Sequence, residues 1–139
     1  MARYKTYAPE LAVSAIHALD PGIAEAGITH LVVASCTGFM APGLDQLIVE
    51  RMGLDPGVER TVVGFMGCYA AVTALRTARH ITRSQKDARV LVVTVELSTL
   101  HHQEQMDIEP LLMGAQFGDG AAAALIRKKP TQSPCSAAI

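Results

Sequence analysis

Two kinds of hydrophobic pattern alternate along the chain. Apolar residues recur at helical spacing over Pro9 to Leu19, Leu44 to Met52 and Cys68 to Arg83, and each stretch predicts an amphipathic helix. Short runs rich in aliphatic and β-branched residues lie between and after them and predict strands. The predicted strands are Ile28 to Ser35, which reads as buried on both faces, Arg60 to Gly64, Arg89 to Glu96 and about Ala121 to Ile126.

The order of these elements determines the predicted fold class. Helices separate the first three strands, and such crossovers join parallel strands, while a less regular stretch precedes the fourth strand. We therefore expect an α/β fold with a mixed, mostly parallel sheet, forming one domain over residues 1–127. Residues 128–139 lose all periodicity and predict an irregular tail.

Composition narrows the partners and the compartment. The 139 residues are 50% apolar and carry a formal net charge of −1, so nothing in the charge balance favours nucleic acid or an anionic membrane. The apolar runs are far shorter than the roughly 20 residues that span a bilayer, and no export signal is visible. Three widely spaced cysteines do not form a disulfide framework or a metal motif. We expect a soluble cytoplasmic protein with reduced thiols.

One thiol occupies a position that suits chemistry. In the segment VVGFMGCYAA, two glycines join a predicted strand to a predicted helix, and Cys68 lies in the first turn of that helix. Free backbone amides and the positive end of the helix dipole favour a thiolate there, and they can also hold the oxygen of a tetrahedral intermediate. The same spacing also suits a small buried cysteine where a helix packs tightly on a sheet.

Other candidate sites are weaker. The chain lacks the glycine-rich loops that cradle phosphates, so no nucleotide cofactor is predicted. The cluster of His101, His102 and Glu104 contains metal-ligating residue types, but adjacent histidines point apart, and no metal is assigned. Asp119, between two glycines, predicts a tight turn in which the carboxylate accepts hydrogen bonds from its own turn amides.

Four sequence blocks resemble a known family. They are ITHLVVASCTGFMAPGLD from Ile28, RTVVGFMGCYAAVTALRTAR from Arg60, ARVLVVTVELSTLH from Ala88 and FGDGAAAALI from Phe117. In order and spacing they resemble consecutive blocks of the type III polyketide synthases, the family of chalcone and stilbene synthases. The resemblance implies a thiolase fold, in which two similar α/β/α halves pack together and two chains form a homodimer. This chain would supply most of the first, N-terminal half.

The resemblance also implies roles for individual residues. Cys68 matches the family's nucleophile, and Phe117 matches the phenylalanine that gates the pocket and orients malonyl-CoA. Cys36, Thr37 and His101 fall at or near positions that line the substrate pocket. The chain departs from chalcone synthases at Ala41, where those enzymes place a methionine that reaches into the partner's cavity.

The implied activity is acyl transfer followed by decarboxylative condensation. Cys68 would take a starter acyl group from a CoA thioester, and malonyl-CoA would lose CO₂ to give the attacking enolate. CoA thioesters are substrates, and no cofactor is implied. Decarboxylation in the family depends on a His and an Asn of the second half, which no histidine of this chain matches, so we expect these 139 residues alone to be inactive as a synthase.

Two alternatives to a polyketide synthase remain at this point. A condensing enzyme like 3-oxoacyl-carrier-protein synthase III shares the fold and the cysteine, although it would favour a basic surface for its acidic carrier. The chain could also be a non-catalytic fragment that only dimerises. Selective acylation of Cys68 over Cys36 and Cys135 separates an enzyme from a bystander thiol.

Overall fold

A computed structural model describes residues 2–104 and 107–128 of the chain. The main elements are four helices and four strands within those residues: α1 (Ala2–Leu19), β1 (His30–Ser35), α2 (Leu44–Met52), β2 (Glu59–Gly64), α3 (Ala70–Ser84), β3 (Arg89–Leu97), α4 (Ile108–Ala115) and β4 (Asp119–Arg127). Short 3₁₀ turns occupy Ile23–Ala26, Gly67–Tyr69 and Ser98–His101. In this part of the chain no helix is both long and apolar enough to cross a membrane.

The strands form one mixed sheet. Their order is β2-β1-β3-β4, with β1 parallel to β2 and to β3, while β4 runs antiparallel to β3. The predicted α/β class with a mostly parallel sheet is confirmed. Ser35 pairs with Gly64, and Leu97 pairs with Asp119, so the ends of the three parallel strands and the start of β4 meet along one side of the sheet. We call this side the carboxyl edge.

Helices α1 and α2 cover one face of the sheet with large side chains. Along α1, the buried residues Tyr4, Ala8, Ala12 and Ile16 recur every four positions and form a single stripe. This stripe packs in a cluster with Ile48 of α2 and with alternate residues of the strands. The β1 and β3 members of the cluster are Leu31, Val33, Leu91, Val93, Val95 and Leu97.

Helix α3 covers the other face with small side chains. Ala70, Ala74 and Ala78 lie against the remaining alternate residues of the strands, including Val32 and Val92. Because alanine places little between the helix axis and the sheet, α3 can lie close to β1 and β3. The start of α3 is thereby held near the carboxyl edge.

Three sequence predictions need correction. Helix α1 begins at Ala2 rather than Pro9, because the buried stripe continues back through Ala8 to Tyr4 and outweighs the one backbone bond that Pro9 cannot donate. Helix α4 was not predicted, since its 8 residues include Pro110 near the start and follow no clear periodicity. The helical spacing of α3 also predicts an inner position for Leu75, next to Ala74 and Ala78, but the Leu75 side chain is 44% exposed.

The start of α3 also differs from the prediction. Cys68 lies in the 3₁₀ turn Gly67–Tyr69, and regular α-helix begins only at Ala70, against the predicted start at Cys68. In the predicted tail, residues 129–139 lie outside the described residues.

Candidate active site

The turn that carries Cys68 has an unusual backbone. Between β2 and α3, Phe65 and Gly67 both have left-handed conformations, with φ of 55° and 69°. Such a conformation is rare for a residue with a side chain, and it reverses the chain sharply after Gly64. The reversal places Cys68 directly ahead of α3 and leaves it exposed, rather than sealed in packing between helix and sheet.

The segment that follows β1 is tied to β3 through a carboxylate. Glu96 accepts hydrogen bonds from the backbone amide of Cys36, at 3.0 and 3.1 Å to its two oxygens, and from the amide of Thr37 at 3.0 Å. The Thr37 hydroxyl in turn accepts a bond from the amide of Leu97 at 2.8 Å. These bonds fix the backbone of residues 36–37 where it faces the turn of Cys68.

His101 closes the same side of the site. It ends the 3₁₀ turn Ser98–His101, and its Nε2 lies 2.5 Å from the carbonyl oxygen of Thr37. A carbonyl only accepts, so Nε2 of His101 is the donor in this contact. The turn is anchored from β4, because Asp119 accepts bonds from the amide of Thr99 at 2.9 Å and from its hydroxyl at 2.6 Å.

The role of Asp119 differs from the prediction made from the sequence. The Gly118-Asp119-Gly120 segment starts β4, and the Asp119 carboxylate binds Thr99 instead of its own turn amides. The hydrogen bonds from the side chain and then the backbone of Thr99 lower the pKa of Asp119. Its charge therefore helps to place the turn that ends in His101.

Tyr4 supports the carboxyl edge from the opposite face of the sheet. Its hydroxyl lies 2.6 Å from the hydroxyl of Ser35, and both side chains are buried. Burial raises the pKa of Tyr4 above its usual value, opposed by the hydrogen bond with Ser35 and reinforced by nearby Glu96 and Cys36. Tyr4 is therefore held as a neutral phenol below the residues that line the site.

A cavity of about 890 Å³ opens at the carboxyl edge between these segments. Its walls include every residue that the sequence and the family resemblance singled out for the site. These are Cys36, Thr37, Cys68, His101 and Phe117. The polar or small residues that complete much of the wall are Ala70, Ala71, Thr94, Glu96, Ser98, Thr99, His102 and Gly114. Phe117 lies at the rim with 58% of its surface exposed.

The structure thus brings five residues from four segments of the chain into one cavity, while the roles assigned to them stay predictions. Glu96 was missed. The alternation along β3 could have found it, since Val90 and Val92 face α3 and period 2 puts Thr94 and Glu96 on that same face. An acidic residue on this face, one position before the end of β3, was the available signal.

The arrangement is suited to thiol chemistry. Cys68 is exposed and borders a cavity large enough for an acyl chain. Among the described residues no side chain caps the start of α3. The amide of Ala70 donates to the carbonyl of Gly67, and the next amides of the first turn are the ones that can face an oxyanion. Among residues 2–104 and 107–128, no group of three or more His, Cys, Asp or Glu residues is placed to hold a metal ion.

Met40 and Ala41 bear on the shape of this region. Met40 is buried in the cluster beneath α1 and α2, whereas Ala41 is exposed. Met40, beside Ala41, therefore packs into the core of this chain.

Comparisons with known proteins agree on one family. Residues 5–130 match the model for the N-terminal domain of chalcone and stilbene synthases. The chain is 40% identical over 125 residues to the alpha-pyrone synthesis polyketide synthase-like Pks18 of Mycobacterium tuberculosis, covering 90% of this chain and 31% of that protein. It is 39% identical over 122 residues to bisdemethoxycurcumin synthase of Oryza sativa subsp. japonica, covering 85% of this chain and 30% of that protein.

Solved structures give the same result. The C-terminal type III polyketide synthase domain of Steely1, a type I/III hybrid from Dictyostelium, superposes with a TM-score of 0.84 at 31% identity, covering 94% of this chain and 37% of that chain. A polyketide synthase from the brown alga Ectocarpus siliculosus superposes with a TM-score of 0.71 at 38% identity, covering 78% of this chain and 29% of that chain. The chain spans about a third of the length of the relatives that it matches.

Proposed function

The chain belongs to the family of chalcone and stilbene synthases, whose N-terminal domain it matches, and on that premise we propose that Cys68 is the acyl acceptor of a type III polyketide synthase. The observation that carries the proposal is the position of Cys68, exposed in the turn before α3 and on the wall of the 890 Å³ cavity. A thioester carbonyl can reach the sulfur there without displacing core residues.

The first proposed step is transfer of a starter acyl group. The Cys68 thiolate attacks the carbonyl carbon of an acyl-CoA, the tetrahedral oxyanion is held by backbone amides near the start of α3, and CoA leaves as its thiol. Gly67 exposes backbone beside the sulfur, since among the described residues, its two chain neighbours aside, no atom lies within 4 Å of the position that a Cβ would take there. The acyl chain would then occupy the cavity between Cys36, Thr37 and Phe117.

The second proposed step is condensation with malonyl-CoA. Loss of CO₂ gives an enolate, which attacks the acyl carbonyl on Cys68 and releases the thiolate. Phe117, at the cavity rim, would pack against the malonyl group during this step. The family resemblance assigns decarboxylation to a His and an Asn of the second half of the fold, so we propose that a complete site needs both halves, within a homodimer.

Acyl transfer can be tested on the 139-residue chain by itself. We expect incubation with a medium-chain acyl-CoA to add one acyl group, which peptide mapping by mass spectrometry assigns to Cys68. The Cys68→Ala variant should take up none, while Cys36→Ala should keep the modification. Acylation spread equally over the three cysteines would contradict the proposal.

The need for the second half is tested separately. With a starter acyl-CoA and malonyl-CoA together, the isolated chain should acylate Cys68 but release no polyketide, because the enolate lacks the groups that stabilise its charge. Liquid chromatography with mass detection measures the products. Sustained polyketide formation by these 139 residues would overturn this part of the proposal and leave acyl transfer intact.

A further inference from the structure

A second thiol lies beside Cys68 in the same cavity. The Sγ atom of Cys36 is 3.5 Å from the carbonyl oxygen of Gly67, so it touches the peptide group that leads into Cys68. Both sulfurs belong to residues that line the cavity, and neither is fully buried, since Cys36 is partly exposed and Cys68 is exposed. Cys36 and Cys68 are far apart in the sequence, and the fold brings them together.

We propose that Cys36 is a resolving thiol, which forms a reversible disulfide with Cys68 when the chain meets a low-molecular-weight disulfide oxidant. Neither residue lies inside a strand ladder or a regular α-helix: Cys36 follows β1, and Cys68 lies in the 3₁₀ turn before α3. Because the Cys36 sulfur contacts the residue that precedes Cys68, we expect side-chain rotation and small movements of the two turns to bring the sulfurs to the bond length of about 2.05 Å.

The chemistry is ordinary thiol–disulfide exchange in two steps. The exposed Cys68 thiolate attacks one sulfur of the oxidant, forming a mixed disulfide and releasing one small thiolate. The Cys36 thiolate then attacks the Cys68 sulfur, forming the Cys36–Cys68 bond and releasing the second small thiolate. Two protein thiols are oxidised, one oxidant disulfide is reduced to two thiols, and excess reductant reverses both steps.

The disulfide would protect Cys68 from irreversible oxidation, and its reduction would restore the free thiol. A disulfide with Cys36 removes the free sulfur from the cavity and withholds it from the irreversible steps of cysteine oxidation. This inference stands apart from acyl transfer, because the exchange uses only the proximity of two thiols. The exchange requires a thiol at position 36, whereas lining the pocket does not.

The test uses oxidised glutathione on the 139-residue chain, with Cys135 as an internal competitor. After acid quench and alkylation of free thiols, peptide mapping counts the three possible pairings. The separation of Cys68 and Cys135 is about twice that of Cys36 and Cys68, so loop closure alone favours the shorter pair by about threefold in the unfolded chain. In native buffer we expect a preference of more than about tenfold, falling to about threefold in concentrated urea.

Matched variants identify the resolving step. In the wild-type chain the mixed disulfide of Cys68 with glutathione should be transient, whereas in Cys36→Ser and Cys36→Ala it should accumulate. Circular dichroism of each variant shows that the fold is retained, and Cys135→Ser should behave as wild type. A mixed disulfide that persists equally in wild type and both Cys36 variants would overturn the proposal, as would equal pairing preferences in buffer and in urea.

Discussion

The two faces of the sheet differ in how they are covered. On the face under α1 and α2, large side chains such as Tyr4, Ile16 and Ile48 are buried to 2% exposure or less. On the face under α3 the contacts are made mostly by alanines, and apolar side chains in the turn that precedes the helix remain exposed, among them Phe65 and Met66. One face holds most of the packing, and the other holds the cavity.

This difference separates stability from chemistry within one small sheet. Alternate residues of β1 and β3 point to the two faces, so each strand contributes to the core on one side and to the site on the other. Substitutions under α1 and α2 should therefore lower the free energy of unfolding. Substitutions at the carboxyl edge on the α3 side should change reactivity at Cys68 with smaller effects on stability.

The largest expected effect comes from a cavity on the well-packed face. Ile48→Ala removes a fully buried side chain and should lower the free energy of unfolding by about 2–5 kcal/mol. Leu75→Ala on α3, where the side chain is 44% exposed, should cost less than about 1 kcal/mol. Urea denaturation followed by circular dichroism measures both. Equal losses for the two variants would contradict the difference in burial between Ile48 and Leu75.

A smaller effect on stability is expected at Gly38, in the segment that follows β1. A Cβ at this position would lie 2.3 Å from two ring atoms of Tyr4, whose buried hydroxyl is tied to Ser35. Because that ring cannot move freely, Gly38→Ala should cost about 1–3 kcal/mol. Gly118→Ala is the control, since in the described part of the chain no atom beyond its two neighbours lies within 4 Å of its Cβ position. Thermal unfolding of the two variants compares them, and a stable Gly38→Ala chain would argue against the Tyr4 placement.

Glu96→Gln tests whether the hydrogen bonds to Glu96 keep the backbone of Cys36 and Thr37 in position on the cavity wall. A glutamine oxygen in the place of the Glu96 oxygen that both amides share can still accept from Cys36 and Thr37. The NH₂ group then faces the amide of Cys36, donor against donor, and the negative charge is lost. We expect a loss of about 1 kcal/mol in stability, together with slower acylation of Cys68. The exposed Glu50→Gln on α2 serves as control. Unchanged acylation kinetics in Glu96→Gln would mean that this wall does not position the substrate.

The smallest expected effect is the contribution of Asp119 at acid pH. Its folded pKa lies below the unfolded value near 3.8, so its stabilising effect is present above that pH and is lost as the pH falls through the lowered folded pKa. The difference in melting temperature between wild type and Asp119→Asn should therefore shrink as the pH is lowered below 3.8. A difference that stays constant over this range would exclude a charge-dependent bond to Thr99.

Much of the framework could be predicted from the sequence because it rests on periodicity. Helix α2 has the predicted bounds, and β1 to β3 agree within two residues, since each has a clear apolar pattern and α2, β1 and β2 also have a glycine at a boundary. Helix α4 escaped prediction because Pro110 and the short length conceal its pattern. Pro9 suits the first turn of a helix and therefore predicts the wrong start for α1. The buried apolar stripe continues on both sides of Pro9, so the helix includes it.

The candidate site was predictable in its parts but not in its connections. The position of Cys68 follows from a strand, two glycines and a helix in succession, and the family blocks supply Cys36, Thr37, His101 and Phe117. The hydrogen bonds that join these segments depend on distances between residues about 60 positions apart, such as Glu96 to Cys36. No local sequence pattern predicts such a contact, so the hydrogen bonds from the amides of Cys36 and Thr37 to Glu96 are visible only in the folded structure.

The central claim is that the folded cavity makes Cys68 the acyl acceptor, and one measurement tests it most directly. The acylation rate of each cysteine by an acyl-CoA is determined by mass spectrometry, once in native buffer and once in concentrated urea. We predict that Cys68 reacts at least about tenfold faster in the native chain than in the unfolded chain, while Cys135 shows no such native enhancement. Equal Cys68 rates in the two conditions would contradict the claim.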